Sequence, residues 1–115
     1  LNSYLQFKQR PDLFFAGQIT GVEGYLGNIA TGLLSGLNAA RYLQGQPLIR
    51  LPVTTMLGSL LEYITHADPD HFQPMKANFG ILPKIPSLPR SKRDRAAAYV
   101  NRAQQDLQTW FDITE

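Results

Sequence analysis

Leu13-Phe14-Phe15-Ala16 is a continuous apolar run that stops at Gly17, and the chain then passes Gly21 and Gly24 before a helical pattern begins. An unbroken run of this kind predicts a strand buried on both faces, as in a parallel sheet, and such a strand needs neighbours. The chain offers few. Tyr4 to Lys8 alternates, with Leu5 and Phe7 on one face against Tyr4, Gln6 and Lys8, which predicts a half-buried strand, and Arg10-Pro11-Asp12 predicts a turn between the two. With only one or two strands legible, the rest of the sheet is expected from another part of a parent polypeptide or from a partner chain. Leu1-Asn2-Ser3 shows no evident cap or turn, and without an initiating Met the chain reads as cut from something longer.

The remainder is helical in pattern. From Gly24 to Gln44 the apolar positions Leu26, Ile29, Ala30, Leu33, Leu37 and Ala40 recur at helical spacing, and Gly45 with Pro47 supplies the stop. Gly32 and Gly36 lie one turn apart on this helix, where each costs up to about 1 kcal/mol if exposed, so a close approach to a sheet is the better reading. Thr54 is the expected cap of a second helix with core face Met56, Leu57, Leu60, Leu61 and Ile64, ended by Asp68-Pro69. Prolines at 69, 74, 83, 86 and 89 predict an irregular segment pinned by Phe72, Met75, Phe79, Ile81 and Leu82. Ser91-Lys92-Arg93-Asp94 opens a last helix whose stripe is Ala96, Tyr99, Val100, Ala103, Leu107, Trp110 and Phe111.

Composition narrows the class. A chain of 115 residues, 43% hydrophobic and 17% charged, suits one globular domain and not two or a disordered tract. The longest apolar-leaning stretch, Tyr25 to Leu43, is broken by Asn28, Asn38 and Arg41, and no charged leader precedes an apolar segment, so neither membrane association nor export is predicted. Zero Cys excludes a disulfide framework, a thiolate metal site and a cysteine nucleophile within this chain, and fits a cytoplasmic setting. Unpaired strand edges and an apolar loop leave a homo-oligomer open for the isolated piece.

Three places carry candidate chemistry. The strand, glycine turn and helix around Gly17, Gln18, Ile19, Thr20, Gly21 and Tyr25 bring backbone N–H groups and the positive end of a helix dipole to a sheet edge, where an anionic or electron-rich cofactor can be held. The spacing is not G-x-G-x-x-G, so by residues alone a structural turn is an equal reading. His66, Asp68, Asp70 and His71 are metal-ligand types without a metal-binding spacing, so turn chemistry and capping explain them better and no metal is predicted. Arg90, Lys92, Arg93, Arg95 and Arg102 fall within thirteen positions and only Asp94 opposes them. This is a solvated helix start or a phosphate-contacting surface, and cations in a first helical turn, set against the dipole, tilt it toward RNA.

The phrases Phe15-Ala16-Gly17-Gln18-Ile19-Thr20-Gly21-Val22-Glu23-Gly24-Tyr25 and Gly36-Leu37-Asn38-Ala39-Ala40-Arg41 closely resemble the flavin-contacting region of the glucose-inhibited-division (GidA-like) flavoproteins. Val22-Glu23-Gly24-Tyr25, His71-Phe72-Gln73-Pro74-Met75 and Asn78-Phe79-Gly80-Ile81-Leu82-Pro83 resemble their folate-dependent, tRNA-methylating branch, although Lys76 stands where that branch more often has an amide. The resemblance covers nearly the whole chain and weakens after Pro83. It implies a mainly α piece with one or two strands, the C-terminal fragment of an α/β, Rossmann-like FAD-binding domain. Residues 1–50 would be the closing strand and helix, and 51–115 a helical C-terminal region. It implies an enzyme forming 5-methyluridine in the tRNA T-loop with methylenetetrahydrofolate, reduced FAD and NAD(P)H, tRNA and the upstream remainder of the polypeptide being the partners. Gly17, Gln18, Ile19, Thr20, Gly21 and Tyr25 would contact FAD or folate, Arg90, Lys92, Arg93 and Arg95 would contact RNA, and the catalytic residues would lie outside this chain. The alternative is a non-catalytic helical module that binds RNA or protein.

Overall fold

The computed structural model describes residues 1–114 and opens with an antiparallel hairpin, β1 (Gln6–Phe7) paired with β2 (Arg10–Phe14). The expected parallel, doubly buried strand is not formed. Phe7 faces Arg10 across a tight turn at Lys8 and Gln9, while Gln6 pairs with Phe14, so the stretch around Pro11 bulges out of register. Proline has no N–H to give a ladder and is tolerated at such a bulge; the buried Gln6 amide fills the gap by donating to the Pro11 carbonyl at 2.8 Å. The turn expected at Arg10-Pro11-Asp12 is therefore strand, and Leu13 is exposed. Nor does the first strand alternate: Leu5 and Gln6 are both buried because Leu5 takes a left-handed φ of 67°. Asn2, which carries no turn signal in the sequence, holds that conformation, its side-chain oxygen accepting from the N–H groups of Tyr4 (2.9 Å) and Gln6 (3.1 Å).

A short 3₁₀ turn over Gln18–Thr20 leads into helix α1 (Tyr25–Leu43), close to its expected bounds. Its orientation is the main departure from the expected packing. The face turned inward carries Thr31, Leu34, Ser35 and Asn38, whereas Leu26, Ile29, Leu33 and Leu37 face outward. The inward face is polar because it braces loops as well as packing a core. Thr31 Oγ1 donates to the Gly27 carbonyl at 2.8 Å and accepts from the Gly17 N–H at 3.2 Å. Asn38, fully buried, donates to the carbonyls of Tyr4 (3.3 Å) and Ile49 (3.0 Å) and accepts from the Ile49 N–H at 2.7 Å. A buried amide is tolerable when its hydrogen-bonding capacity is used.

Helix α2 (Met56–His66) is capped by Thr55, one residue after the expected Thr54, through a 3.0 Å bond from the Gly58 N–H. Leu61 joins Leu5 and Leu34 in the core cluster, with Leu1, Ile49, Leu57 and Ile64 packed around it, and Leu60 is also fully buried. The proline-rich segment is irregular as expected. It is stitched back onto the glycine turn by a parallel bridge between Val22 and Met75, in which Met75 N–H donates to Gly21 and Glu23 N–H to Met75. Helix α3 (Lys92–Thr114) starts with the expected Ser91 contact, Asp94 N–H to Ser91 Oγ at 3.4 Å. It lies half-buried along the molecule, held by Thr54 to Asp106 (2.6 Å), Trp110 to the Arg50 carbonyl (2.9 Å) and a Phe79–Tyr99 ring contact (5.6 Å). Val100 and Phe111, expected in its buried stripe, are exposed. Among the described residues no helix is long and apolar enough to cross a membrane.

Candidate functional site

The turn between β2 and α1 is built on three glycines at positive φ, Gly17 (82°), Gly21 (96°) and Gly24 (87°). Glycine is required here for backbone shape, and at Gly21 also for space, because a Cβ would collide with the Phe72 ring. Thr20 locks the turn by donating both its N–H (2.9 Å) and its hydroxyl (2.6 Å) to the Gly17 carbonyl. The chain thus reverses tightly and enters α1 with no side chain capping it. The first N–H groups of an α-helix have no intrahelical partner and carry the positive end of its dipole. Tyr25, Leu26 and Gly27, the residues that carry these groups, border a cavity of about 800 Å³ lined also by Gln18, Glu23, Gly24, Asn28, Lys76 and Ala77.

The six residues expected around a cofactor separate here. Gln18 and Tyr25 line this cavity, and Tyr25 is 91% exposed, so its ring is not spent on packing within the chain. Ile19 and Thr20 instead line a second, more apolar cavity of about 530 Å³ with Phe7, Phe15, Ile64 and Phe72. Gly17 and Gly21 shape the turn between them. Lys76 and Ala77 come to the first cavity from fifty residues further along the chain because the Val22–Met75 bridge places them beside Gly24. Their only signal in the sequence is the unusual lysine within a familiar phrase; nothing in periodicity announces a bridge between single residues.

The strap that delivers Lys76 is anchored by Phe72, stacked on Tyr63 at 5.7 Å, and by the Tyr63 hydroxyl, which donates to the Gln73 carbonyl at 3.0 Å. Asp68 starts it by accepting from the Asp70 N–H (3.0 Å) and pairing with His71 (2.9 Å). The bond from His71, with that from the Asp70 N–H, holds the Asp68 carboxyl below the usual carboxylate range. His66 lies 3.4 Å from Glu62, which also takes Arg50 at 2.9 Å. The two histidines therefore work with different carboxylates.

Of the expected RNA contacts, Arg90, Lys92, Arg93 and Arg95 are all exposed, with Arg95 folded back so that its Nε donates to the Pro89 carbonyl at 2.6 Å. Lys92 and Arg95 line a cavity of about 340 Å³ together with Phe79 and Tyr99. Arg102 belongs to the scaffold, donating to the Pro83 carbonyl and lying over the Tyr99 ring at 5.3 Å.

Comparison with known proteins bears on both regions. Residues 1–47 match the family described as Glucose inhibited division protein A. The chain is 52% identical over 112 residues, 97% of its length, to the methylenetetrahydrofolate–tRNA-(uracil-5-)-methyltransferase TrmFO of Microcystis aeruginosa, covering 25% of that protein. It is 56% identical over 98 residues, 85% of its length, to the TrmFO of Enterococcus faecalis, covering 22% of it. With the TrmFO of Lactiplantibacillus plantarum the figures are 51% over 109 residues, 95% of this chain and 25% of the relative. The chain thus spans about a quarter of the length of the curated relatives it matches.

Proposed function

We propose, for a chain that belongs as a segment to the TrmFO branch of the GidA-like flavoproteins, that it supplies one wall of the FAD and folate site of a tRNA (uracil-5-)-methyltransferase. The observation that carries the reading is the cavity at the start of α1, where uncapped helix N–H groups, the Gln18 amide and the exposed Tyr25 ring meet. Its volume of about 800 Å³ suits a cofactor-sized ligand. The residues present also fit the group: glycines at Gly17, Gly21 and Gly24 let backbone approach a flat ring, and a helix N-terminus favours an electron-rich edge. FAD, once bound, supplies the transfer chemistry for the methylene group of methylenetetrahydrofolate, with NAD(P)H as reductant and a T-loop uridine of tRNA as acceptor. In this chain, Gln18 would donate to the flavin and orient it, the α1 N–H groups would favour its negative charge, and Tyr25 would shield it from water.

Residues 1–50 then form the closing strand and helix of the FAD-binding domain and 51–115 a helical C-terminal region, in a cytoplasmic protein. Arg90, Lys92, Arg93 and Arg95 form the tRNA-facing surface, supported by the cations and the Phe79 and Tyr99 rings around one cavity, a combination that suits nucleic acid. Because Gln18 and Tyr25 are exposed, Gln18→Ala and Tyr25→Ala leave the fold intact. In the full-length protein each is expected to lose bound flavin several-fold faster on dialysis, read from the flavin-to-protein absorbance ratio. Full retention by both variants removes the site assignment. Replacing Lys92 and Arg93 by Gln is expected to weaken tRNA binding and to lower the slope of log K against log salt by about one for each phosphate no longer neutralised; an unchanged slope returns the run to a solvated helix face.

A further inference from the structure

Gly21, at the centre of the glycine turn, is held by two contacts from one segment of the chain. A Cβ on it would overlap Cζ of Phe72 and lie 2.8 Å from Cε1, so the edge of that ring rests on the glycine backbone. Three residues on, the Met75 N–H donates to the Gly21 carbonyl at 2.8 Å, and the Met75 carbonyl accepts from the Glu23 N–H at 2.9 Å. Only Gln73 and Pro74 lie between the two contacts. Proline has no N–H to offer, and both backbone groups of Gln73 meet a single side chain. The Tyr63 hydroxyl donates to the Gln73 carbonyl at 3.0 Å and accepts from the Gln73 N–H at 3.3 Å. The Tyr63 ring also stacks on Phe72, with centroids 5.7 Å apart and planes 25° from parallel. Tyr63 projects from α2, the helix whose Leu60 and Leu61 are buried, so the strap is tied to a fixed element.

Gly21 and the strap each lead to the cavity at the start of α1. The Gly21 N–H donates to the Gln18 carbonyl at 3.0 Å, and Lys76 and Ala77 directly follow Met75. Gln18, Lys76 and Ala77 all line the cavity, whereas Tyr63 does not. We propose, resting on the reading of that cavity as a flavin and folate wall, that Tyr63 is a positioning residue for it. Acting through Phe72 and Gln73, Tyr63 fixes the strap against Gly21 and so sets Gln18 on one rim of the cavity and Lys76 on another. A side chain that only filled space would need the ring alone. The hydroxyl, bonded to both groups of one residue, fixes the direction of the strap as well as its distance, and a displacement of roughly 1 Å is enough to spoil an aligned contact.

Tyr63→Phe removes the hydroxyl and keeps the stacked ring. In the full-length, flavin-stripped protein it is expected to speed amide hydrogen exchange about tenfold in the peptides covering residues 18–24 and 72–77, with the α2 peptide around Leu60 and Leu61 unchanged. Titration of the same protein with FAD is expected to give a Kd about fivefold weaker. Thr54→Val breaks the 2.6 Å bond to Asp106 near the other end of α2 and is expected to leave both readouts at their parent values. Phe72→Leu removes the stack, and combining it with Tyr63→Phe is expected to weaken FAD binding no further than the worse single variant, since both act along one route. Unchanged exchange in Tyr63→Phe overturns the proposal, and so does faster exchange with parent FAD affinity while Gln18→Ala loses flavin. The same two changes in Thr54→Val overturn it in favour of a general loss of stability. Parent affinity in Gln18→Ala, Tyr25→Ala and Tyr63→Phe alike, with exchange still faster in the last, removes the flavin-wall reading and the proposal with it.

Discussion

At the scale of single residues, short-range hydrogen bonds hold the backbone at the places where the chain departs from regular structure. Asn2 supports the left-handed Leu5, Thr20 closes the glycine turn, and Asp68 starts the strap that carries Lys76. The Asp68 contribution depends on pH with a definite sign. Its folded-state pKa is lowered by the bond from His71 and the Asp70 N–H, so the stabilisation is fully present above the unfolded carboxylate value of about 3.9 and is lost as pH falls through the lower folded value. Comparison of urea midpoints is expected to show Asp68→Asn below the parent protein near neutral pH, with the gap closing in strong acid. A gap that persists at the lowest pH would mean that the carboxylate is not its source. None of this local detail is visible in hydrophobic periodicity, because each case rests on a polar side chain meeting a backbone group two to four residues away.

At the scale of elements, spacing places α1 and nearly gives its bounds, yet it does not give the inward face. Periodicity assigns the apolar stripe to the core, and within this chain that stripe is outside. The inward face is organised by Asn38, which joins three elements: α1 through its own backbone, the hairpin entry at Tyr4 and the linker at Ile49. Asn38→Ala leaves two carbonyls and one N–H without their partner, and an expected loss of about 3 kcal/mol follows from such uncompensated burial; equilibrium denaturation measures it. The hairpin shows the same limit of periodicity. A run of four apolar residues suits a doubly buried strand by composition, and only pairing reveals that β2 meets one neighbour across a bulge at Pro11. By contrast, α2 and the start of α3 are legible to within a residue, the cap of α2 falling on Thr55 instead of the expected Thr54 and Ser91 meeting the Asp94 N–H as expected, because caps are local signals.

At the scale of the whole molecule, the layers stop short. One side of α1 is bonded and packed, the other is bare, and two cavities flank the glycine turn with their mouths open. A pocket that encloses a cofactor covers most of the ligand surface, so the 115-residue chain alone is expected to bind FAD at least a hundredfold more weakly than the full-length protein, as read by flavin fluorescence titration. Equal affinity would contradict the single-wall reading. The cavity is only half legible in the sequence: Gln18 and Tyr25 follow from the turn they sit in, while Lys76 and Ala77 reach it through a long-range bridge.

Elements and family are written in the order of residues. Helical spacing, caps, glycines and prolines act over a few residues and mark any stretch that obeys them, and the phrases around Gly17 to Tyr25 carry a resemblance to a flavoprotein branch. Which face of α1 turns inward, and which residues share a cavity, is settled by packing in three dimensions. Periodicity records that a face is apolar, but within this chain the contacts of Thr31 and Asn38 turn the opposite face inward.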